Sequence, residues 1–209
     1  MLKELLEFLA DELNNYLTLK ENMSQTDPPR FVLGNVAKAF DNEASSSSPS
    51  TNSSSAASIV NSGILSIVNI EEDKAARQPE NYVKTDTTAR YKSPPLYINV
   101  YLLIALNRTS YTDSLKWLSY VLQFFQHQKV FTPVTHPSLD NRIQKIMVDL
   151  CSPTFEQVNH LWSTLGGKYL PSVLYKIRQV TIDEDLTTSE GGLIREIQLG
   201  EKLKMPVSG

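Results

Sequence analysis

Apolar residues between Leu2 and Leu17 recur at steps of three and four, which is the spacing of a helix with one apolar face. That face consists of Leu2, Leu5, Leu6, Leu9, Leu13, Tyr16 and Leu17. The prolines of "TDPPR" end the helix, and "FVLGNVAKAF" at 31–40 then predicts a short strand. The helix must pack its apolar face on another element.

Three longer stretches have the composition of strands. "GILSIVNIEED" at 63–73 is β-branched and apolar before it turns acidic, which predicts a strand with a charged exit. "LYINVYLLIAL" at 96–106 is apolar on both faces, as a central strand of a sheet is. "SVLYKIRQVTI" at 172–182 is the last clear strand, and it places Lys176 and Arg178 on one face.

Two shorter stretches also have β character. The first is "KVFTPV" at 129–134, and the second is 143–150, where Ile146, Val148 and Leu150 alternate with other residues. Strands are therefore predicted in both halves of the chain.

A second helix is predicted at 111–128, with Thr112 or Asp113 as its N-cap. Its apolar stripe consists of Leu115, Leu118, Val121, Leu122 and Phe125. The spacing indicates one buried face and one solvent face.

A third helix is predicted after Ser152, which can act as its N-cap with Pro153 in the first helical position. Its inner face consists of Phe155, Val158, Leu161, Trp162 and Leu165. Gly166 and Gly167 fall where a left-handed C-terminal cap is needed.

Three polar segments interrupt these elements. The Ser-rich insert 42–58 cannot bury enough apolar area to offset its ordering entropy, and 74–95 predicts a long excursion. Residues 183–209 are polar and Gly-broken, with one short strand at "LIREIQL", 193–199. We therefore predict one domain at 1–182, followed by a polar C-terminal tail.

Composition excludes several classes of protein. The net charge of -3 gives no electrostatic reason to bind nucleic acid. Cys151 is the only cysteine, so an intramolecular disulfide and a four-cysteine zinc site are impossible. Charged residues interrupt the apolar N-terminus, unlike a secretory signal, and 96–106 is far shorter than the roughly 20 residues that cross a bilayer.

The sequence Gly166-Gly167-Lys168 invites comparison with a phosphate-binding loop. Such a loop needs a further glycine at the position of Trp162 and a Ser or Thr at the position of Tyr169. It also lies at the start of a helix, whereas these glycines follow one. We interpret them as a turn.

Other candidate sites are weaker. Cys151, His160 and Asp149 contain the groups of a thiol triad, but a lone cysteine between a strand and a helix is typical of a structural thiol. The pair Glu71 and Glu72 is most simply a solvated strand exit.

A metal site is not favoured either. His127, His136 and Asp140 lack the close spacing of zinc motifs. Asparagines in glycosylation sequons, which matter only in a secretory pathway, are Asn22, Asn52 and Asn107. Aromatic residues at helical spacing, which indicate core or interface, are Trp117, Trp162, Phe124 and Phe125. We predict no catalytic, cofactor-binding or metal-binding residue.

Four stretches together carry a resemblance to a known family. They are "VNIEED", "PPLYINVYLLIAL", "YTDSLKWLSYVLQFFQHQKVFT" and "FEQVNHLWSTLGGKYLPSVLYKIRQV". The chain resembles the tail terminator or cap proteins of contractile injection systems, the DUF4255 or Pvc16-type N-terminal domain family of antifeeding-prophage-like particles, which is related to phage tail terminators. The likeness runs from about Met1 to Ile182, and the Ser-rich tract departs from it. Its most specific residues are Trp162, Leu165, Gly166, Gly167, Tyr169, Pro171, Ser172 and Tyr175.

The resemblance implies an α/β (α+β) fold in which helices flank a mixed sheet. It also implies a hexameric ring on the last layer of inner tube and sheath, distal to the baseplate, which ends polymerisation. The ring is assembled in the bacterial cytoplasm, belongs to a phage tail-like particle and has no active site. We expect 42–58 or 183–209 to order on contact with tube or sheath, and strand addition is one mode for the tail.

Two other classes of function stay open. One is an adaptor that binds a partner peptide at a sheet edge. The other is a small hydrolase or nucleotide-binding enzyme, which would need a convergent polar site that the sequence does not offer.

Overall fold

A computed structural model describes most of the chain. The described residues are 1–21, 30–39, 59, 61–74, 82–84, 88–92, 96–140, 142–166, 168–182 and 187–192. They belong to two units: the first comprises Met1–Ala76 with Leu96–Ile182, and the second comprises Arg77–Pro95 with Asp183–Gly209. Each unit is described by itself.

The first unit contains helices and six strands. Its helices are α1 (Leu2–Glu21), α2 (Tyr111–His127), α3 (Phe155–Thr164) and the short 3-10 helix η1 (Val36–Ala39). Its strands are β1 (Phe31–Leu33), β2 (Ser62–Glu72), β5 (Leu96–Asn107), β6 (Val130–Phe131), β7 (Ile146–Cys151) and β8 (Ser172–Ile182). The strands of the second unit are β3 (Tyr82–Lys84), β4 (Thr88–Lys92) and β9 (Thr187–Gly192).

The six strands form one mixed sheet in the order β1-β2-β5-β8-β7-β6. The pair β1–β2 is parallel, and the other pairs are antiparallel. The long strands β2, β5 and β8 form the centre, and the much shorter β1 and β6 form the edges. The fold class expected from the resemblance, a mixed sheet flanked by helices, is confirmed.

The strand β5 supplies side chains to a core on each face of the sheet. On one face, Val100, Leu102, Ile104 and Leu106 are buried with residues of α1 and α2. On the other face, Leu103 and Ala105 are buried with Trp162 of α3 and with η1. This period-two alternation explains why the sequence of β5 is apolar throughout.

Helix α1 is tied to the start of β1 by one side chain. The Asn14 carboxamide oxygen accepts hydrogen bonds from the backbone N–H groups of Arg30 and Phe31, and its Nδ2 donates to the Phe31 carbonyl oxygen. Backbone groups at the entry to the edge strand are thereby satisfied. Helical periodicity predicts α1 itself, but not this contact.

Helix α2 buries only part of the predicted stripe. Val121 and Phe125 are buried as predicted, and Leu118 packs against the core, but Leu115 and Leu122 are 43% and 39% exposed. The other buried residues are Ser114, Trp117 and Phe124. The N-cap is Ser110, which accepts a hydrogen bond from the Asp113 N–H, so Thr112 and Asp113 were the wrong choice. Aromatic side chains bury more apolar area than leucines, and they turn the helix toward the core.

Helix α3 begins two residues later than predicted. Its N-cap is Thr154, whose hydroxyl accepts from the Gln157 backbone N–H at 3.3 Å. The Gln157 side chain accepts from the Thr154 N–H at 2.9 Å, which completes a capping box. The prediction of Ser152 as cap was wrong, because it ignored the glutamine three residues after Thr154.

Loss of this cap is expected to weaken the protein measurably. Thr154→Ala removes one of two reciprocal hydrogen bonds, and we expect it to lower the free energy of unfolding by about 1 kcal/mol. Ser152→Ala is the matched control and should change it by less than about 0.5 kcal/mol, as is usual for surface substitutions. Urea unfolding curves measure both values, and equal losses for the two variants would contradict the assignment of the cap.

Several predicted boundaries need correction. The strand predicted at 31–40 is limited to Phe31–Leu33, and the chain then turns into η1. The β stretch predicted at 129–134 is only Val130–Phe131. Leu150 does not share the burial of Ile146 and Val148, since it is 57% exposed.

The second unit contains a three-stranded antiparallel sheet in the order β3-β4-β9. Its first two strands lie within 74–95, where no strand was predicted, and β9 lies within 183–209. The strand predicted at 193–199 and the Ser-rich insert 42–58 lie outside the described residues. Part of the predicted tail is therefore paired with another strand of its own chain.

Candidate functional site

The chain turns at Gly166 after α3, as predicted for this position. Gly166 has a φ of +107°, and its N–H donates to the Ser163 carbonyl oxygen at the end of the helix. A left-handed residue at this position satisfies a terminal carbonyl group and redirects the chain toward β8. Gly167 lies outside the described residues. A phosphate site is not formed by a helix end of this polarity.

The structure does not join the three side chains of the thiol hypothesis. The Asp149 carboxylate accepts from Arg178 Nε at 2.6 Å, while His160 is exposed on α3. Cys151 is a half-buried free thiol. In the part of the chain that is described, no hydrogen bond links Cys151 to His160 or Asp149.

Two residues of the metal hypothesis, His136 and Asp140, have other partners in the structure. His136 packs edge-on against Phe8 and Phe131, and its Nδ1 lies 2.8 Å from the Thr135 hydroxyl. The Asp140 carboxylate is engaged by Arg142, with Nε 3.0 Å from Oδ2. Among the described residues there is no group of three or more His, Cys, Asp or Glu side chains that could hold a metal ion.

The pair Asp140–Arg142 makes a prediction about pH. Hydrogen bonds from Arg142 lower the pKa of Asp140 from 3.8 to about 2. A lowered pKa in the folded state stabilises the protein above pH 3.8, and this contribution disappears as the pH falls through about 2. Arg142→Gln should return the pKa of Asp140 toward 3.8, as measured by NMR titration of the carboxyl carbon. An unchanged titration would contradict the pairing.

A charged surface covers the part of the sheet that α3 leaves open. The Glu71 carboxylate accepts from the Tyr101 hydroxyl at 2.8 Å and from Lys176 Nζ at 3.4 Å. Both contacts lower the pKa of Glu71. Glu71 is exposed, as expected of a strand exit, but it is paired rather than merely solvated. On the same face, Arg178 pairs with Asp149, so acids and bases neutralise one another.

An apolar groove lies between α2 and β7, on the face of the sheet that α1 and α2 cover. The groove has a volume of about 340 Å³, and its apolar lining consists of Leu122, Phe125, Val148, Leu150 and Tyr175. Gln123, Gln126 and Lys129 lie at its polar side. Burial of the Tyr175 side chain raises its pKa. We refer to these residues as the α2–β7 groove.

Phe155 projects from the first turn of α3 and is 94% exposed. The periodicity of the helix predicted this side chain on the inner face, which is wrong. Only Trp162 of α3 is buried, and its ring lies 5.4 Å from that of Tyr169. Among the described residues, no large apolar side chain is more exposed than Phe155.

Of the strands that the structure describes, β1 covers the outer edge of β2 only beside Gly63–Leu65. The edge strand β1 pairs with Gly63–Leu65, and the Gly34 N–H donates to the Leu65 carbonyl oxygen. Within the described residues, Ile67–Glu72 has strand pairing only with β5. Such an edge offers backbone groups to an added strand.

The aromatic residues flagged in the sequence lie in the core. Trp117, Phe124 and Phe125 are buried with the α1–α2 layer, and Trp162 is buried on the opposite face. Phe124 and Phe125 are in ring contact with each other. Further ring contacts join Trp117 to Phe31, Phe124 to Phe131 and Phe125 to Tyr175. The expectation of core rather than a cofactor box is confirmed for these four residues. Helices long and apolar enough to cross a membrane do not occur in the described part of the chain.

Comparison with protein families identifies the family of the chain. The family model described as the Pvc16 N-terminal domain matches residues 4–196. The chain belongs to the Pvc16 N-terminal domain family. The resemblance noted in the sequence is thereby confirmed. No curated protein sequence matches the chain.

Solved structures show where this Pvc16-type fold occurs. The chain is similar to the sheath/tube terminator of PVC, an extracellular contractile injection system, in the extended state, with a TM-score of 0.54 and 14% sequence identity. The alignment covers 95% of this chain and 65% of the terminator chain. A second match is the anti-feeding prophage cap, the AFP tube terminating cap, with a TM-score of 0.42, 17% identity and coverage of 69% of this chain and 48% of that chain. The first likeness establishes a shared fold.

Proposed function

We propose that the chain is a structural cap of a contractile injection system. It forms a ring on the last layer of inner tube and sheath, distal to the baseplate, and stops further polymerisation. The match of the Pvc16 family model to residues 4–196 carries this proposal. The fold shared with the PVC sheath/tube terminator supports it. The inner tube protein and the sheath protein are then its partners.

A cap needs surfaces rather than reactive groups. A tube grows because each new layer exposes the same surface that it has just bound, so its contacts repeat without closure. A terminator binds that surface on one side and offers no copy of it on the other. The described carboxylates suit this task, because Asp140, Asp149 and Glu71 are each paired with a basic side chain.

The cap is proposed to be hexameric, assembled with the particle in the bacterial cytoplasm and carried by the released particle. In this role the protein acts through the shape of its binding surfaces. We propose no catalytic residue, cofactor or metal for it.

A second candidate function is an adaptor that captures an extended peptide. The edge at Ile67–Glu72 favours it, because β5 is the only described strand that pairs there and an extended peptide could add on the other side. An adaptor of this kind would act as a monomer and would not determine the length of a polymer.

The two functions are separated by deleting the gene in the organism that makes the particles and measuring tail lengths by electron microscopy. A cap predicts long, variable tubes in the deletion and uniform tubes when the intact chain is restored. Unchanged lengths in the deletion would reject the cap. Tubes of normal length that lack one attached component would instead support the adaptor.

A further inference from the structure

The α2–β7 groove is built to receive an apolar side chain. Leu122 and Leu150 stand on its rim and are 39% and 57% exposed, while Phe125 and Tyr175 are buried at its base. The rings of Phe125 and Tyr175 lie 4.5 Å apart, so the base is rigid and aromatic. A cavity of about 150 Å³ already holds benzene. The groove, at about 340 Å³, therefore has room for a phenyl ring.

Phe155 has the complementary shape. Its side chain is 94% exposed, so the protein leaves almost the whole ring in water. Burying such a ring in a partner contributes more to association than burying most other side chains, and aromatic residues dominate the centres of interfaces. Thr154 and Gln157 fix the backbone on both sides of Phe155 through the capping box. The ring is thus presented on a rigid support.

Phe155 and the groove lie on opposite faces of the sheet. Helix α3, which carries Phe155, packs with Leu103 and Ala105 on one face, and α2 packs on the other. A chain cannot fill its own groove with this side chain across the sheet. A second copy can, because identical copies stacked face to back bring the Phe155 side of one against the groove side of the next.

Charge is complementary between the two regions. Lys129 lies at the polar side of the groove, and Glu156 directly follows Phe155 and is exposed. The acidic residue in the groove lining, Asp149, is neutralised by Arg178. A second copy that inserts Phe155 therefore brings a carboxylate toward an ammonium group, which favours encounter and register.

From these observations we infer that Phe155 of one copy inserts into the α2–β7 groove of the next copy. The contact is heterologous, since different surfaces meet, and such contacts form a closed ring when the rotation between copies allows it. The inference rests on the proposed function and identifies how neighbouring subunits of the ring recognise each other. The phenyl group of Phe155 in the groove would be a hot spot within a larger interface between the subunits.

Two complementary variants test this contact. Phe155→Asp removes the inserting side chain and keeps the groove, whereas Leu150→Asp places a charge in the groove and keeps Phe155. We expect each variant alone to self-associate at least tenfold more weakly than the wild type in sedimentation equilibrium. Mixed in equal amounts, they should form a one-to-one dimer that does not grow further, because one intact pair of surfaces is left. Val134→Asp is the matched control, since Val134 is 90% exposed elsewhere and should not alter association.

A disulfide experiment tests the same contact on assembled particles. In a Cys151→Ser background, Glu156→Cys and Lys129→Cys in one chain keep Phe155 and the apolar lining of the groove, and they should give a ladder of disulfide-linked copies at tube ends under mild oxidation. Each single cysteine should give none beyond the background. Absence of the ladder, or association of Phe155→Asp equal to that of the wild type, overturns the inference.

Failure of this contact is distinguishable from failure of the cap. If the Phe155→Asp variant still forms rings and still limits tube length, the copies meet through another surface and the cap function stands. If the wild-type chain neither binds tube ends nor limits tube length, the cap function falls together with the ring contact that rests on it.

Discussion

Phe125→Ala is expected to reduce the free energy of unfolding by about 3–5 kcal/mol, the usual loss for a large aromatic residue in a core. Phe125 is 2% exposed and packs on Tyr175 of β8 and on Phe124, with ring centroids 4.5 and 4.9 Å away. Truncation leaves a cavity between α2 and the centre of the sheet. Because a domain of this kind has a total stability of only about 5–15 kcal/mol, the variant should be close to unfolding at 37 °C.

Phe155→Ala is the matched control for this prediction. The chemical change is identical, but the ring of Phe155 is 94% exposed and contributes little to the folded monomer. We expect less than about 0.5 kcal/mol of destabilisation. Guanidinium unfolding at low protein concentration, where association does not contribute, measures both variants. Similar losses at the two positions would mean that the packing of α2 described here is wrong.

Gly63→Ala is the second substitution with a large expected effect. A Cβ atom at Gly63 would lie 2.4 Å from two ring carbons of Phe31, which is itself 2% exposed. The ring of Phe31 also packs against that of Trp117, with the centroids 5.7 Å apart, which opposes its movement away from Gly63. Overpacking a core by one methyl group costs about 1–3 kcal/mol, and the rigidity of both partners puts this variant at the upper end.

A smaller side chain at position 31 should relieve the clash caused by Gly63→Ala. Phe31→Leu shortens the side chain above Gly63, so Gly63→Ala should cost less in a Phe31→Leu background than in the wild type. A double-mutant cycle of thermal or urea unfolding gives the coupling energy, which we expect to exceed about 1 kcal/mol in the rescuing direction. Additive effects would show that the two side chains do not collide, and that the β1–β2 register of Phe31 with Gly63 needs revision.

Periodicity predicted the elements well where one type of signal dominated. The three-and-four spacing gave α1, and the continuous apolar run gave β5, because each element buries a face that the sequence displays directly. In α2 two signals competed: leucines and aromatic residues occur on neighbouring stripes, and only the shape of the core decides which stripe is buried. The start of α3 was misplaced for a local reason, since Ser152 and Thr154 are both good caps and the glutamine at Gln157 selects the second.

The candidate surfaces were harder to predict than the core. Sequence motifs are detected by residue type, and the four stretches quoted above were enough to indicate the Pvc16 N-terminal domain family. The α2–β7 groove, by contrast, depends on Leu122 and Leu150, which the sequence assigned to buried stripes. Phe155 was misassigned in the same way. Apolar residues that periodicity predicts to be buried, but that the structure shows to be exposed, indicate a candidate binding surface. They can be recognised only by comparing the sequence pattern with the structure.

The pairing of β4 with β9 has a consequence for how the protein is made. During translation β4 leaves the ribosome well before β9, its partner. The other sheet is likewise incomplete until β8, one of its central strands, has been translated. A chain that is released prematurely would therefore expose unpaired strands to proteases and chaperones before it could occupy a place in a particle.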